Sequence, residues 1–226
     1  MNPRFSALAA EFVGTFFLLA CVVGSGIMAT NLTNDVALQL LANSTATVFV
    51  LVALILLFAD TSGAHFNPAV TLTDLALGGR GARESAAYIV VQVIGGTLGV
   101  IAANIMFELD AVNWSTTERS SGALWFAEII ATLGLLLVIF GIVRRGNVAM
   151  VSYAVGAYIG AAYWFTSSTS FANPAVTIAR TFSDSFAGIE PASAPMFIVA
   201  QLVGVLVAIA LIRAIWPTTD GDTQRK

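Results

Sequence analysis

Six apolar stretches, each about as long as a bilayer-spanning helix, leave this chain few folds to choose from. A helix needs about 20 apolar residues to cross the hydrocarbon core of a membrane. The sequence is 58% hydrophobic and 10% charged, whereas soluble domains are about 25% charged. We therefore predict an all-α membrane protein with six transmembrane helices, at Phe5–Ala29, Val36–Ala59, Ala86–Phe107, Leu124–Val143, Ala149–Phe165 and Met196–Trp216.

The remaining residues exclude several classes of function. The net charge of −3 comes without a basic run, so no nucleic-acid partner is expected. Cys21 is the only cysteine and His65 the only histidine, which rules out an intrachain disulfide and a Cys/His metal cluster. Because no nucleophile with a matching base is evident either, we expect no cofactor, no bound metal and no enzymatic activity.

The distribution of charge predicts the orientation in the membrane. Six crossings bring both termini to one side, and the positive-inside rule assigns that side to the cytoplasm. The first span is longer than the apolar core of a signal peptide and is expected to be retained. On the cytoplasmic side lie Arg4, Arg80, Arg83, Arg144, Arg145, Arg213, Arg225 and Lys226, and the opposite loops carry Asp35, Glu108, Asp110, Glu118 and Glu190 with Arg119.

Two moderately apolar segments, Asn67–Leu77 and Asn173–Asp184, do not belong to the six spans. A helix rises about 1.5 Å per residue, so both segments are too short to cross the bilayer. Each begins with Asn-Pro, and proline is well tolerated in the first helical turn, where its missing N–H would have no partner. We predict two short helices with defined N-termini.

These two segments belong to an internal repeat. Asn-Pro-Ala-Val-Thr at 67–71 recurs at 173–177, and Ala-Glu-Phe-Val-Gly-Thr at 10–15 matches Ala-Glu-Ile-Ile-Ala-Thr at 127–132. With three spans in each half, the second half is inverted in the membrane. The short helices then enter from opposite faces and meet near the midplane, where their positive N-termini repel cations. One transmembrane domain is expected at 1–217, with repeats at about 5–107 and about 122–216, followed by a short polar cytoplasmic tail at 218–226.

These motifs resemble the aquaporin and aquaglyceroporin superfamily over essentially the whole chain. The resemblance implies the aquaporin fold, a passive channel, and a homotetramer in the lipid bilayer, here of a bacterial inner membrane. It further implies that Asn67 and Asn173 cap re-entrant half-helices and donate hydrogen bonds to solute in the pore. The two pore motifs are Asn67, Pro68, Ala69 and Asn173, Pro174, Ala175.

One departure from the family pattern concerns the narrowest constriction. The family usually has an arginine directly after the second Asn-Pro-Ala, where this chain has Val176. Carried over by spacing from the asparagines, the other filter positions are Thr47, Ala161 and Ser170, so the expected filter is uncharged and wide. Whether Arg180 reaches the pore instead is left open by the sequence.

A wide filter favours neutral solutes larger than water. Polyols such as glycerol, amides and metalloid hydroxides are the expected solutes, with water as a further possibility. Val176 and the residues at 179–184 are similar to a bacterial subfamily associated with arsenical transport, which points to neutral arsenite or methylated arsenicals. The alternatives are a secondary transporter with inverted repeats, a water-selective aquaporin and an ion channel.

Three polar residues are interpreted as supports for the re-entrant loops. Glu11 and Glu128 lie within spans, where an ionisable side chain is costly and usually functional. The resemblance implies that they hold the loop backbone, and a proton pathway is the alternative. His65 is expected to be a structural, pore-lining residue, with a general base as the alternative. Cys21 is expected to be a core residue or, if it faces the pore, a site for mercurials.

Overall fold

The computed structural model describes residues 3–217, and this part of the chain contains eight α-helices. Six of them are long and apolar enough to cross a membrane, which confirms the predicted all-α fold and the six spans. The tail at 218–226 lies outside the described residues. The spans are α1 (Pro3–Leu32), α2 (Val36–Ser62), α4 (Ala82–Met106), α5 (Gly122–Arg144), α6 (Val151–Phe165) and α8 (Ala194–Ile215), and the short helices are α3 (Pro68–Ala76) and α7 (Pro174–Ala179).

Both short helices start as predicted, with an asparagine cap in extended conformation followed by proline. The first also ends where expected. The second is shorter than the predicted segment, because its α-helix stops at Ala179 and continues as a 3-10 turn over Arg180–Phe182. A 3-10 turn rises about 2.0 Å per residue and points successive side chains in different directions from an α-helix.

The helices pack as two similar halves. In the first half α1 contacts α2 and α4, and in the second half α5 contacts α6 and α8. The halves are joined by the contact of α2 with α6, and each short helix also packs on the opposite half, α3 on α8 and α7 on α4. The short helices touch each other as well. This arrangement matches the inverted repeat read from the sequence.

Glycines allow the closest helix crossings. A methyl group at Gly95 or Gly99 of α4 would overlap the backbone carbonyl oxygens of Phe12 and Phe16 in α1. In the other half, a methyl group at Gly204 of α8 would lie 2.8 Å from a carbonyl oxygen of α5. Small residues let helices approach closely in membranes. These glycines therefore set the distance between α1 and α4 and between α5 and α8.

Replacement of Gly99 by alanine should destabilise the fold, because the added methyl group meets backbone atoms that cannot move aside. We expect a cost of about 1–3 kcal/mol and a lower thermal unfolding temperature in detergent. Gly122 is the matched control, since it is also helical and a methyl group there meets no atom within 4 Å. Equal unfolding temperatures for Gly99→Ala and Gly122→Ala would contradict the close-crossing interpretation.

Candidate functional site: a cavity between two half-helices

The two half-helices are joined tip to tip by reciprocal hydrogen bonds. Asn67 Nδ2 donates to the carbonyl oxygen of Ala172 at 2.8 Å, and Asn173 Nδ2 donates to the carbonyl oxygen of Phe66 at 2.8 Å. Each asparagine thus binds the loop that leads into the other helix. Both side chains are buried, and both line a cavity.

The same two side chains cap their own helices. Asn67 Oδ1 accepts the N–H of Ala69 at 2.8 Å, and Asn173 Oδ1 accepts the N–H groups of Ala175 at 2.9 Å and Val176 at 3.3 Å. A primary amide has two N–H donors, so each asparagine has one donor beyond the bond to the opposite loop. The helix N-termini also carry partial positive charge. The junction therefore offers donors and repels cations.

Glu11 holds the first re-entrant loop from inside α1. Its Oε1 accepts the hydroxyl of Ser62 at 2.7 Å and the N–H of His65 at 2.9 Å. Its Oε2 accepts the N–H of Phe66 at 2.7 Å and the amide of Gln92 at 2.8 Å. The carboxylate is fully buried and accepts four hydrogen bonds. Because two of the donors are backbone N–H groups of the loop, the carboxylate supports the loop.

Glu128 holds the second loop in the same way. Its two oxygens accept the N–H groups of Phe171 and Ala172, each at 2.9 Å, and Oε2 also accepts the amide of Gln201 at 2.6 Å. The Gln201 amide in turn donates to Thr177 Oγ1 at 2.9 Å. Both halves thus contain a buried glutamate, a glutamine and a threonine in one network.

Both loops contain non-glycine residues in the left-handed region. The φ angles are 49° at Ala64, 48° at Phe66, 54° at Ser170 and 49° at Ala172. Such conformations cost about 1 kcal/mol or more each and persist where surrounding contacts enforce them. The carboxylate hydrogen bonds to the loop N–H groups are the enforcing contacts here.

His65 links the first loop to the mouth of the cavity. Arg80 Nη1 lies 3.0 Å from His65 Nε2, and His65 Nδ1 lies 3.0 Å from Thr71 Oγ1. Burial, and then the Arg80 guanidinium, lower the pKa of His65 to about 4, although Asp74 opposes the shift. The imidazole is therefore neutral, accepts from Arg80 and donates to Thr71. This geometry is that of a positioned structural group.

One cavity of about 280 Å³ runs past both asparagines. On α2 its wall is a single stripe at every fourth residue, Thr47, Leu51, Ile55 and Ala59. A stripe of that length extends about 18 Å along the helix, which is a large part of the hydrocarbon thickness. The facing helices supply mainly apolar side chains, Leu135, Ile139, Phe140, Val143, Val148, Val151, Val155 and Ile159.

Three of the four expected filter residues line this cavity, namely Thr47, Ser170 and Val176. The fourth assignment, Ala161, is wrong. Ala161 is exposed on the outer face of α6, and the cavity wall is formed by Tyr163 instead. The Tyr163 hydroxyl lies 3.1 Å from Thr47 Oγ1, so these two side chains form a polar pair across α2 and α6.

The error has a geometric cause. Counting back from Asn173 to α6 crosses the irregular segment 166–172, where residues have no constant rise or rotation. A shift of two positions on an α-helix is a rotation of about 200°, because each residue turns about 100°. The count therefore selected Ala161, which lies on the opposite face of α6 from Tyr163 and the cavity.

The sequence leaves open whether Arg180 reaches the pore, and in the structure Arg180 lines the cavity. Its guanidinium carbon lies 3.5 Å from the ring centroid of Phe171, and both residues are part of the wall. Arg180 is buried, and its Nε donates to the carbonyl oxygen of Ala187. The 3-10 turn after α7 is the local structure that carries this side chain.

The repeat places unlike residues at equivalent points of the wall. Val70 and Val176 lie three residues after their respective asparagines, and Asp74 and Arg180 lie seven residues after them. All four line the cavity. Asp74 is paired with Arg80 at 3.4 Å. One end of the cavity thus carries a neutralised carboxylate and the other an arginine.

Sequence reasoning did not single out four residues of this region. Gln92 and Gln201 are polar amides inside apolar spans, a signal that was available because buried polar groups need partners. Tyr163 and Phe171 gave no such signal, since aromatic residues are common in membrane helices and at their ends. Cys21 is outside the cavity wall, and its thiol lies 3.5 Å from the Ala46 carbonyl oxygen.

Six spans, two opposed half-helices and a cavity between them define a membrane channel protein. The sequence matches the family model described as Major intrinsic protein over residues 2–170 and again over 146–226. It is 49% identical over 204 residues to Aquaglyceroporin AqpS of Rhizobium meliloti (strain 1021), covering 90% of this chain and 87% of that protein. The chain belongs to the major intrinsic protein family.

More distant relatives agree with this family. Aquaporin NIP1-2 of Arabidopsis thaliana is 32% identical over 170 residues, which cover 70% of this chain and 56% of that protein. Among solved structures, the X-ray structure of the aquaglyceroporin from Plasmodium falciparum superposes with a TM-score of 0.68 at 25% identity. The superposition covers 95% of this chain and 98% of that one.

Replacement of Glu128 by glutamine should weaken the second loop, because an amide nitrogen would face the backbone donors that the carboxylate now accepts. We expect a cost of about 1–3 kcal/mol and a lower unfolding temperature in detergent. Asp60→Asn is the control, since Asp60 is exposed at the end of α2. If both variants unfold at the wild-type temperature, Glu128 does not support the loop.

Proposed function

We propose that this protein is a passive channel for small uncharged solutes, chiefly glycerol-like polyols and neutral arsenite or methylated arsenicals. The observation that carries the proposal is the cavity that runs past the paired half-helix ends between apolar helix stripes. Its polar groups are the two asparagines at the centre, Thr47, Tyr163, Ser170 and Arg180 on one side of them, and His65, Asp74 and Arg80 on the other. Such a path gives a neutral polyhydroxyl solute hydrogen-bond partners along one side and apolar contact along the other.

The residue at the expected constriction supports a wide path. Val176 offers only a short apolar side chain where the family pattern has an arginine. Loss of that bulk favours passage of solutes larger than water. Two of the similar proteins are named aquaglyceroporins, in line with polyol permeation. Arsenite is a small neutral trihydroxide at neutral pH and has the size and hydrogen-bonding pattern of glycerol, which is why it belongs to the same solute class.

We further propose a homotetramer in a bacterial inner membrane with both termini in the cytoplasm. The outer faces of the spans expose many large apolar side chains, which need lipid or another subunit as their partner. The basic loops on the side of the termini support the orientation. Within the tetramer, each subunit would form its own pore from the single domain at 1–217.

Two other functions make different predictions. A secondary transporter with inverted repeats would couple solute flux to a proton or sodium gradient and would saturate. A water-selective channel would exclude glycerol. The fully bonded glutamates, Glu11 and Glu128, favour a channel over proton coupling, because each carboxylate accepts hydrogen bonds from the loops rather than facing a pathway.

Purified protein in liposomes should take up glycerol and arsenite faster than empty liposomes. We expect the rate to rise linearly with the concentration gradient and to be unaffected by an imposed proton or sodium gradient. Stopped-flow light scattering measures glycerol and water entry, and elemental analysis of recovered vesicles measures arsenic. A saturable or gradient-driven flux would favour the transporter, and entry of water alone would favour the water channel.

Replacement of Val176 by arginine should narrow the constriction. We expect glycerol permeability to fall about tenfold, equivalent to about 1.4 kcal/mol of barrier, while water permeability falls less. Val176→Ala is the matched control and should retain or increase glycerol flux. An unchanged ratio of glycerol to water permeability in Val176→Arg would locate the constriction elsewhere.

A further inference from the structure

Arg180 brings an unpaired positive charge to the wall of the cavity. Within residues 3–217, no carboxylate lies within ion-pair distance of its guanidinium. The side chain is 3% exposed, so bulk water screens its charge poorly. Its one hydrogen bond uses Nε, which leaves the terminal Nη groups without a protein acceptor among the described residues.

Arg180 is also fixed in position. The Phe171 ring supports one face of the guanidinium, with 3.5 Å between the guanidinium carbon and the ring centroid, and the Ala187 carbonyl holds Nε. Phe171 itself packs edge-on against Phe197, with ring centroids 5.2 Å apart. A guanidinium held between an aromatic ring and a carbonyl does not need to reorganise when a solute passes.

Three hydroxyl groups lie in the same part of the wall. Ser170 Oγ is buried, has no hydrogen-bond partner among residues 3–217 and belongs to a residue that lines the cavity. The hydroxyls of Thr47 and Tyr163 lie 3.1 Å apart in the same wall. Together with Arg180 these side chains offer donors and acceptors to a neutral solute, whereas a cation meets the positive charge.

We propose that Val176 and Arg180 have separate tasks at the constriction of this channel, with Val176 setting its width and Arg180 excluding cations, protons included. This inference rests on the proposed function and adds the residue that decides charge selectivity. Arg180 enters the wall four residues after Val176, from the 3-10 turn at the end of α7. Width and charge can then be changed independently, so the path admits bulky neutral solutes and still maintains the membrane potential.

Liposomes containing Arg180→Met protein test the proposal with two readouts. Proton entry is followed with an internal pH dye while a potassium gradient and valinomycin set the voltage, and glycerol entry is followed by light scattering. We expect wild-type vesicles to leak protons no faster than empty vesicles. Arg180→Met should raise the leak about tenfold while glycerol still enters faster than in empty vesicles, and Arg180→Lys, which keeps the charge, should restore a low leak.

Two control variants separate the residues. Arg119→Met removes a second guanidinium, which lies 5.1 Å from the same Phe171 ring and outside the described cavity wall, and should leave the leak low. Val176→Ala should retain or increase glycerol flux without raising the proton leak. A wild-type leak in an Arg180→Met protein that still conducts glycerol would overturn the proposal.

Arg180→Gln covers the case in which the methionine variant does not assemble, because its amide can still donate to the Ala187 carbonyl. A raised leak in Arg180→Gln supports the proposal, and a wild-type leak overturns it. Failure of the proposed function has a different signature, since wild-type protein would then show no glycerol or arsenite flux in any of these vesicles.

Discussion

The fold depends on the two hydrogen bonds that cross between the half-helices. Backbone groups inside a membrane need partners within the protein, and a helix that stops halfway leaves its first N–H groups without partners. Asn67 and Asn173 satisfy this need in two directions at once, because each caps its own helix and bonds to the loop that leads into the other. Without the other half-helix, each asparagine would lose the partner of its side-chain N–H group.

The buried glutamates follow from the same constraint. A loop that turns through left-handed conformations at Phe66 and Ala172 exposes N–H groups that no helix accepts. Glu11 and Glu128 place carboxylates beside these groups, and glutamines from α4 and α8 bind the same carboxylates. A charged residue in a span is costly, and here three or four charge-assisted hydrogen bonds offset that cost. The half-helix junction and its supports therefore form one polar unit inside an apolar bundle.

Features with strong local causes were predictable from sequence. The spans follow from hydropathy and the half-helices from Asn-Pro, whereas the support role of Glu11 and Glu128 was implied by the family resemblance. Ala161 was misassigned because residue counting fails across an irregular segment, whereas Tyr163 on the other face of α6 meets the cavity. The position of Arg180 depends on where α7 ends, and helix ends are poorly specified by local sequence.

Inverted duplication gives the two halves of the pathway similar backbones up to the ends of the half-helices, but it does not give them the same charge. The equivalent positions seven residues after each asparagine are Asp74, which is neutralised by Arg80, and Arg180, which has no such partner among the described residues. A molecule crossing the cavity thus passes two similar half-helices, but it meets a positive charge at only one end. A neutral solute with a dipole has a preferred orientation at the Arg180 end. At equal concentrations on both sides this orientation produces no net flux, because the free energy of the solute is the same in the water on each side.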